Sequence, residues 1–286
     1  MTATTAVIGV REAGGTFADD VRAVRMIWKR ELIRFSRNRL RIATSLVQPV
    51  LFLFVLGTGL APIAPGGGTH FDFRTFMFPG VIAMTVLFTA IFSAMSIVWD
   101  REFGFLREML VAPVSRSSLV IGKCLGGATV ATFQGVIMLA LAGFVHVPYS
   151  PGLLLILVAE MALVALTLTA LGTLIASRME QVEGFMAVMQ FMVLPMFFLS
   201  GALYPVANLP AWLAVLNRLD PLTYAVDPMR RLVFNHLDIS AAAGRALDPG
   251  VTWWGWRLPA LLEAAVVLAL GLVMLAIAIW EFNATE

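Results

Sequence analysis

Six apolar stretches recur along the chain, at residues 42–60, 77–99, 119–145, 152–176, 185–203 and 258–280. Each is near the ~20 residues that carry a helix across a ~30 Å hydrocarbon core. Breakers part them. APIAPGGG at 61–68 reads as a loop, Pro148 and Pro151 mark a short turn at 147–152, and 177–184 is a short charged turn. The pattern predicts an all-α membrane protein: one transmembrane domain over 1–286, with a six-span bundle at 41–280.

Outside the spans, two regions keep helical periodicity. Over residues 17–40, Phe17, Val21, Val24, Trp28, Leu32 and Phe35 share one face, and Arg22, Arg25, Lys29, Arg30 and Arg37 the other. A basic amphipathic helix of this kind lies in the membrane interface. The plainer alternative is a soluble, core-facing helix. Residues 1–16 are rich in small residues and are expected to form a disordered tail. Residues 204–257 are the long connection, with two amphipathic pieces and a cluster of Trp253, Trp254 and Trp256 that suits a membrane interface. No internal repeat is visible, which weighs against the inverted repeats common in secondary transporters.

Composition supports the bilayer as solvent. Apolar residues make up 59% of the 286 residues and charged ones 13%, against about 25% in soluble domains. The net charge of +2 gives no reason to expect nucleic acid as a partner. A single cysteine, Cys124, excludes an intrachain disulfide framework and a cysteine zinc cluster. His70, His146 and His236 are scattered without metal-ligand spacing, so no metal site is predicted. The first apolar run follows a basic cluster and reads as an uncleaved anchor rather than a signal peptide. With the N-terminus inside, the inside segments carry 14 of the 20 Lys and Arg residues. The positive-inside rule therefore predicts both termini in the cytoplasm and 204–257 outside.

The segment at 100–118 is cytoplasmic on that topology, charged and still amphipathic. Phe103, Leu106, Met109 and Leu110 alternate with Arg101, Glu102, Arg107 and Glu108, and Pro113 and Ser115 end the helix. A short helix held between two spans can dock in a groove on a cytoplasmic partner. A solvated loop with interfacial anchors is the alternative. Gly66, Gly67 and Gly68 lack a following Lys-Ser, so the chain carries no phosphate cradle.

Residues 100–123 resemble the cytoplasmic coupling region of the ABC-2 type permease family, through Glu102, Arg107, Glu108, Met109, Leu110, Pro113, Val114, Ser115, Gly122 and Lys123. FLSGALYPVANLPAWL at 198–213 and DPLTYAVDPMR at 220–230 match further family motifs, in the family's order. The last two look most like the daunorubicin-resistance and nodulation-export branch. Asp220 departs from the usual Asn, and Pro228 interrupts a stretch that is commonly Asp-Ala-Leu-Arg. The resemblance implies ATPase coupling through Arg101, Glu102, Phe103, Leu106, Arg107, Glu108, Pro113 and Arg116. It also implies an exit-region motif of Ser200, Gly201, Pro205, Pro210, Asp220, Pro221, Tyr224 and Arg230. Pro205 and Pro210 forbid a continuous helix there. Asn208 is the expected N-cap of a short outer-leaflet helix with Trp212, Leu213 and Leu216 on its apolar side.

Polar groups inside spans are costly and each invites a role. Glu160 and Thr167 share a face of span four, Gln134 lies with Gly127 in span three, and Gln190 lies with Glu183 and Phe197 in span five. These faces either meet to line a substrate path or make interhelical hydrogen bonds. Glu263, near the outer end of span six, reads as an interface residue. Span five is rich in Met and Phe, which suits bulky apolar ligands or packing against lipid.

By resemblance, the chain is the permease subunit of an ATP-binding cassette exporter in a bacterial plasma membrane. It has no catalytic residue and no cofactor of its own. Two copies of a cytoplasmic ABC ATPase bind ATP and Mg²⁺, and a second permease, identical or different, completes the complex among membrane lipids. The implied cargo is a drug, natural product, lipid or lipid-linked glycan. A secondary transporter or channel run by an ion gradient is the alternative, with only Glu160 clearly placed for it. An integral membrane enzyme lacks the His, Cys or paired carboxylates that catalysis would need in the spans.

Overall fold

The computed structural model describes residues 17–63, 72–105, 115–206, 209–237, 250–253 and 256–285. Six helices are long and apolar enough to cross a membrane: Arg39–Leu60, Phe73–Glu102, Arg116–Leu139, Pro151–Arg178, Val182–Leu199 and Ala260–Ala284. They are spans one to six, and the six-span, all-α reading holds.

The ends of the spans follow local chemistry rather than hydropathy. Span three stops at Leu139, short of the expected 145, and a tight turn over Ala142–Val145 leads to His146 in a left-handed conformation. Span five stops at Leu199, short of 203, because Gly201 takes φ +71, a conformation open to glycine. The Ser200 hydroxyl accepts from the Ala202 amide at 3.2 Å and holds that turn. Ser115 caps span three and Ser150 caps span four, each accepting a backbone N–H. In span one, Pro49 lies inside the helix just before a wider, π-type turn at Phe52–Leu56.

Span two is the axis of the bundle. Of its most apolar stretch, 67% is buried within the protein, against 17% for span one and 22% each for spans five and six. Small residues let its neighbours approach closely. A Cβ on Gly127 would lie 2.1 Å from Ser93 Oγ, and one on Gly172 would lie 3.0 Å from Ala94 Cβ.

The N-terminal helix, Phe17–Arg37, lies lengthwise along span three. Asp20 reaches Ser118 at its start, Val24 and Ile27 meet Gly122, Glu31 meets Gly126, and Phe35 meets Phe133 edge-on at 6.3 Å. The apolar face seen in the sequence is thus shared: Val24, Trp28 and Phe35 face protein, while Phe17 and Val21 remain exposed. This end carries Arg30, Arg101, Lys123 and Arg178 and is called the basic end.

The opposite end is capped by the connection between spans five and six. Two short helices, Ala211–Leu219 and Thr223–Phe234, match the two amphipathic pieces. Pro210 stands at the first helix's cap position, and Asn208, expected there, lies outside the described residues. An antiparallel ribbon pairs Thr252–Trp253 with Trp256–Arg257, a feature hydropathy did not suggest.

Candidate functional site

At the basic end, Arg101 and Glu102 turn onto the junction of spans four and five. Arg101 Nη1 donates to the carbonyls of Ala176, Ser177 and Met179 at 3.2, 3.0 and 2.7 Å. Those carbonyls lie at the end of span four, where a helix runs out of its own donors; that of Ala176 also accepts from the Met179 amide at 3.2 Å. Glu102 Oε2 accepts from the Val182 amide at 2.7 Å, at the start of span five. A cation therefore meets a helix C-terminus and an anion a helix N-terminus, as the helix dipole favours. Ser177 and Arg178 bond Glu281 of span six, which ties a third span to the same junction. Arg116 Nη1 donates to the Asn283 carbonyl at 3.2 Å.

Of the other expected coupling residues, Phe103 is exposed and packs on Trp99 with ring centres 5.0 Å apart. Leu106, Arg107, Glu108 and Pro113 lie outside the described residues.

Beside this junction is a charge cluster whose members the sequence did not join: Arg30 of the N-terminal helix and the motif residue Lys123 meet at Asp100. The Lys123 ammonium, only 2% exposed, pairs with Asp100 and donates to the Ser96 carbonyl at 2.9 Å. Arg30 of the N-terminal helix reaches the same carboxylate at 3.0 Å. Burying an ammonium is costly unless it is paired and hydrogen-bonded, and both conditions are met. The cluster joins spans two and three to the N-terminal helix. Nearby, the Ser115 and Ser118 side chains hold the Asp20 carboxyl below its ordinary range.

The expected exit-region residues converge at the capped end. Arg230, fully buried, donates to the Gly201 carbonyl at 2.7 Å and lies over the Phe76 ring of span two at 4.2 Å. Tyr224 donates to the Arg218 carbonyl and accepts from Trp253 Nε1. Asp220 Oδ1 accepts from the Leu222 amide at 3.0 Å. Its Oδ2 is buried and without a partner among the described residues. Burial pushes this carboxyl up to about 7, against the opposing pull of the Leu222 bond. Pro205 and Pro221 are half-buried and Pro210 is exposed.

A second network at this end corrects the reading of Glu263. It is fully buried, not an interface residue, and accepts from Arg231 Nη2 at 2.8 Å. Arg231 also pairs with Asp227, whose carboxylate accepts from the Val251 amide at 3.0 Å. The i,i+4 spacing of Asp227 and Arg231 was legible. Their meeting with Glu263 was not, because span six reaches them only through the fold.

A cavity of about 580 Å³ lies on the basic half of the bundle, bordered by the N-terminal helix, spans one, two and three, and Met186 of span five. None of the five expected path residues lines it. Gln134 is buried and donates to the Ile42 carbonyl and Ser45 Oγ, so it reaches the cavity wall only through Ser45. Thr167 is buried and donates to the Val267 carbonyl at 2.9 Å, packed on Gly271. Its geometry is that of an interhelical hydrogen bond. Phe197 packs edge-on against Phe52 of span one. Glu160 is half-buried and makes no side-chain bond among the described residues. Gln190 is exposed, on the side of span five that also shows Phe191 and Leu194. Span five buries a stripe at every fourth residue, Phe185, Met189, Val193 and Phe197, which turns Gln190 outward.

A six-span bundle with a lengthwise N-terminal helix, a charge-capped junction and a folded cap is the architecture of a membrane permease. The match of residues 22–234 to the ABC-2 type transporter family model places the chain in that family. Nodulation protein J of Rhizobium leguminosarum bv. viciae is 27% identical over 71% of this chain and 79% of its own length. The inner membrane transport permease YadH of Escherichia coli K12 is 26% identical over 73% of this chain and 81% of its own. YbhR of Escherichia coli K12, named "Probable multidrug ABC transporter permease", is 33% identical over 57% of this chain and 45% of its own.

Proposed function

We propose that this permease carries an apolar or amphipathic compound outward, and that a separate ABC ATPase supplies the energy. The observation that bears most on this reading is the pair of bonds from Arg101 and Glu102 to the span four and span five junction. The pair stands at the head of the 103–115 segment, which would dock on the ATPase. A push on that segment then reaches spans four and five through short, charge-assisted bonds rather than through a slack loop. Arg30, Lys123 and Asp100 carry the same displacement to the N-terminal helix.

In this reading the basic end faces the cytoplasm, which agrees with the positive-inside rule. Two ATPase subunits bind ATP and Mg²⁺, and a second permease copy completes the complex. A drug-like cargo fits the name of one relative, and a lipid-linked glycan fits the export branch that the motifs resemble. An ion-gradient carrier fits less well, because the buried Asp100, Glu263 and Glu281 hold cations of the chain itself.

The test is reconstitution in vesicles with and without a P-loop ATPase partner. Compound-stimulated ATP hydrolysis and transport should both require the two subunits together. Transport by this chain alone, driven by an ion gradient, would overturn the reading. Topology is checked with cysteines introduced at the exposed Phe105 and Trp256. The one native cysteine, Cys124, is fully buried and should stay silent. Labelling of Phe105→Cys from the outside would reverse the orientation.

A further inference from the structure

The cavity on the basic half is polar and charged along the N-terminal helix and span one, and mixed along span two, where Phe88, Phe92 and Trp99 alternate with Thr89, Ser93 and Ser96. The N-terminal helix ends at Arg37 and span one begins at Arg39, with an elbow at Asn38, whose Oδ1 accepts from the Arg41 amide at 3.0 Å. The elbow brings Arg34 from one helix and Arg41 from the next onto the same cavity. Neither guanidinium makes an ion pair or side-chain hydrogen bond among the described residues. The one carboxylate on the wall, Glu31, is paired with Arg30 at 3.3 Å and also attracts Arg41. Thr44, Ser45 and Gln48 continue the polar side up span one. Facing them are Phe88, Phe92 and Trp99 of span two and Met186 of span five.

We infer that this cavity binds an anionic amphipath, its phosphate or carboxylate head on Arg34 and Arg41 and its apolar tail against Phe88, Phe92, Trp99 and Met186. Two exposed guanidinia, neither in an ion pair among the described residues, stand beside a partly apolar wall and offer positive charge to an anionic head. A planar fork of donors matches an oxyanion head. Uncharged hydroxyls and the Gln48 amide extend the head subsite without adding a repelling carboxylate. The volume lies within the ~300–1,000 Å³ range of pockets that hold one small ligand, so the site takes a single tail rather than a patch of bilayer. The cavity walls come from this chain alone, so binding is expected without the ATPase or ATP. Its outcome is therefore separable from that of the transport reading.

The test uses the full chain in phosphatidylcholine nanodiscs with a photoreactive dodecyl phosphate, and a photoreactive dodecyl maltoside as the neutral counterpart. Mass spectrometry should find the phosphate probe on Phe88, Phe92, Trp99 or Met186. Its yield should fall about tenfold in the double variant Arg34→Gln/Arg41→Gln, as expected for losing a charge-assisted hydrogen bond. The control Arg25→Gln/Arg37→Gln removes the same charge from outside the cavity and should label like the parent. Adding phosphatidylglycerol separates the sources: competition assigns the site to a membrane lipid, and its absence assigns it to a free amphipath. Equal labelling by the neutral probe, adducts confined to other spans, or a double variant that labels like the parent would each overturn the inference. Neither arginine makes an ion pair or side-chain hydrogen bond among the described residues, and an unchanged melting temperature of the double variant shows that the fold is kept.

Discussion

Arg101 spans the gap between two helices to reach the carbonyl of Met179, 2.7 Å away and 78 residues later in the chain. Its neighbour Glu102 closes the other side of the same junction on Val182. Adjacent residues of opposite charge thus hold the end of one helix and the start of the next.

Removing either side of this junction should separate ATP use from transport. Arg101→Ala frees three carbonyls from a charged donor, a loss of about 1–3 kcal/mol. Glu102→Ala frees the first turn of span five. In vesicles with the ATPase, both variants should insert normally and hydrolyse ATP while compound flux falls severalfold. Flux at the parental rate would show that the junction does not transmit force.

Lys123 and Asp100 should behave as a unit. Lys123→Met leaves the Asp100 carboxylate with Arg30 alone and should cost about 3–5 kcal/mol in thermal unfolding. The double change Lys123→Met/Asp100→Leu should recover much of that loss, because no buried charge is left over. An additive double variant would refute the coupling.

Gly80 is the floor on which the loop after span five rests. A Cβ there would lie 2.2 Å from the Ala202 carbonyl oxygen, a backbone atom with little room to move. Gly80→Ala should destabilise by about 1–3 kcal/mol, as overpacking does. Gly59→Ala, where a Cβ meets nothing within 4 Å, is the control. Melting curves in detergent distinguish the two.

Asp220 should make stability depend on pH. Its folded value, about 7, lies above the ordinary 3.8, so between those values the folded state holds a proton that the unfolded state has lost. Stability therefore falls as pH rises from about 4 to 7 and levels off above. Asp220→Asn, the residue the family commonly has there, should flatten the melting temperature over that window and raise it at pH 8. An unchanged pH profile would place the titration elsewhere.

The chain itself determined the number of spans, because crossing a bilayer needs only length and apolarity, and both are written along one dimension. The motifs at 198–213 and 220–230 were likewise legible, since their glycine and prolines fix local backbone. The inner faces of the spans were not. In a membrane protein the lipid-facing side is as apolar as the protein-facing side, so periodicity does not say which way Gln190 or Thr167 turns. Only packing decided that Gln190 faces outward, that Thr167 bonds Val267, and that Glu263 meets Arg231. The cavity beneath Arg34 and Arg41 is of the same kind. Its walls come from five helices, and their meeting is a property of the folded bundle rather than of any one stretch of sequence.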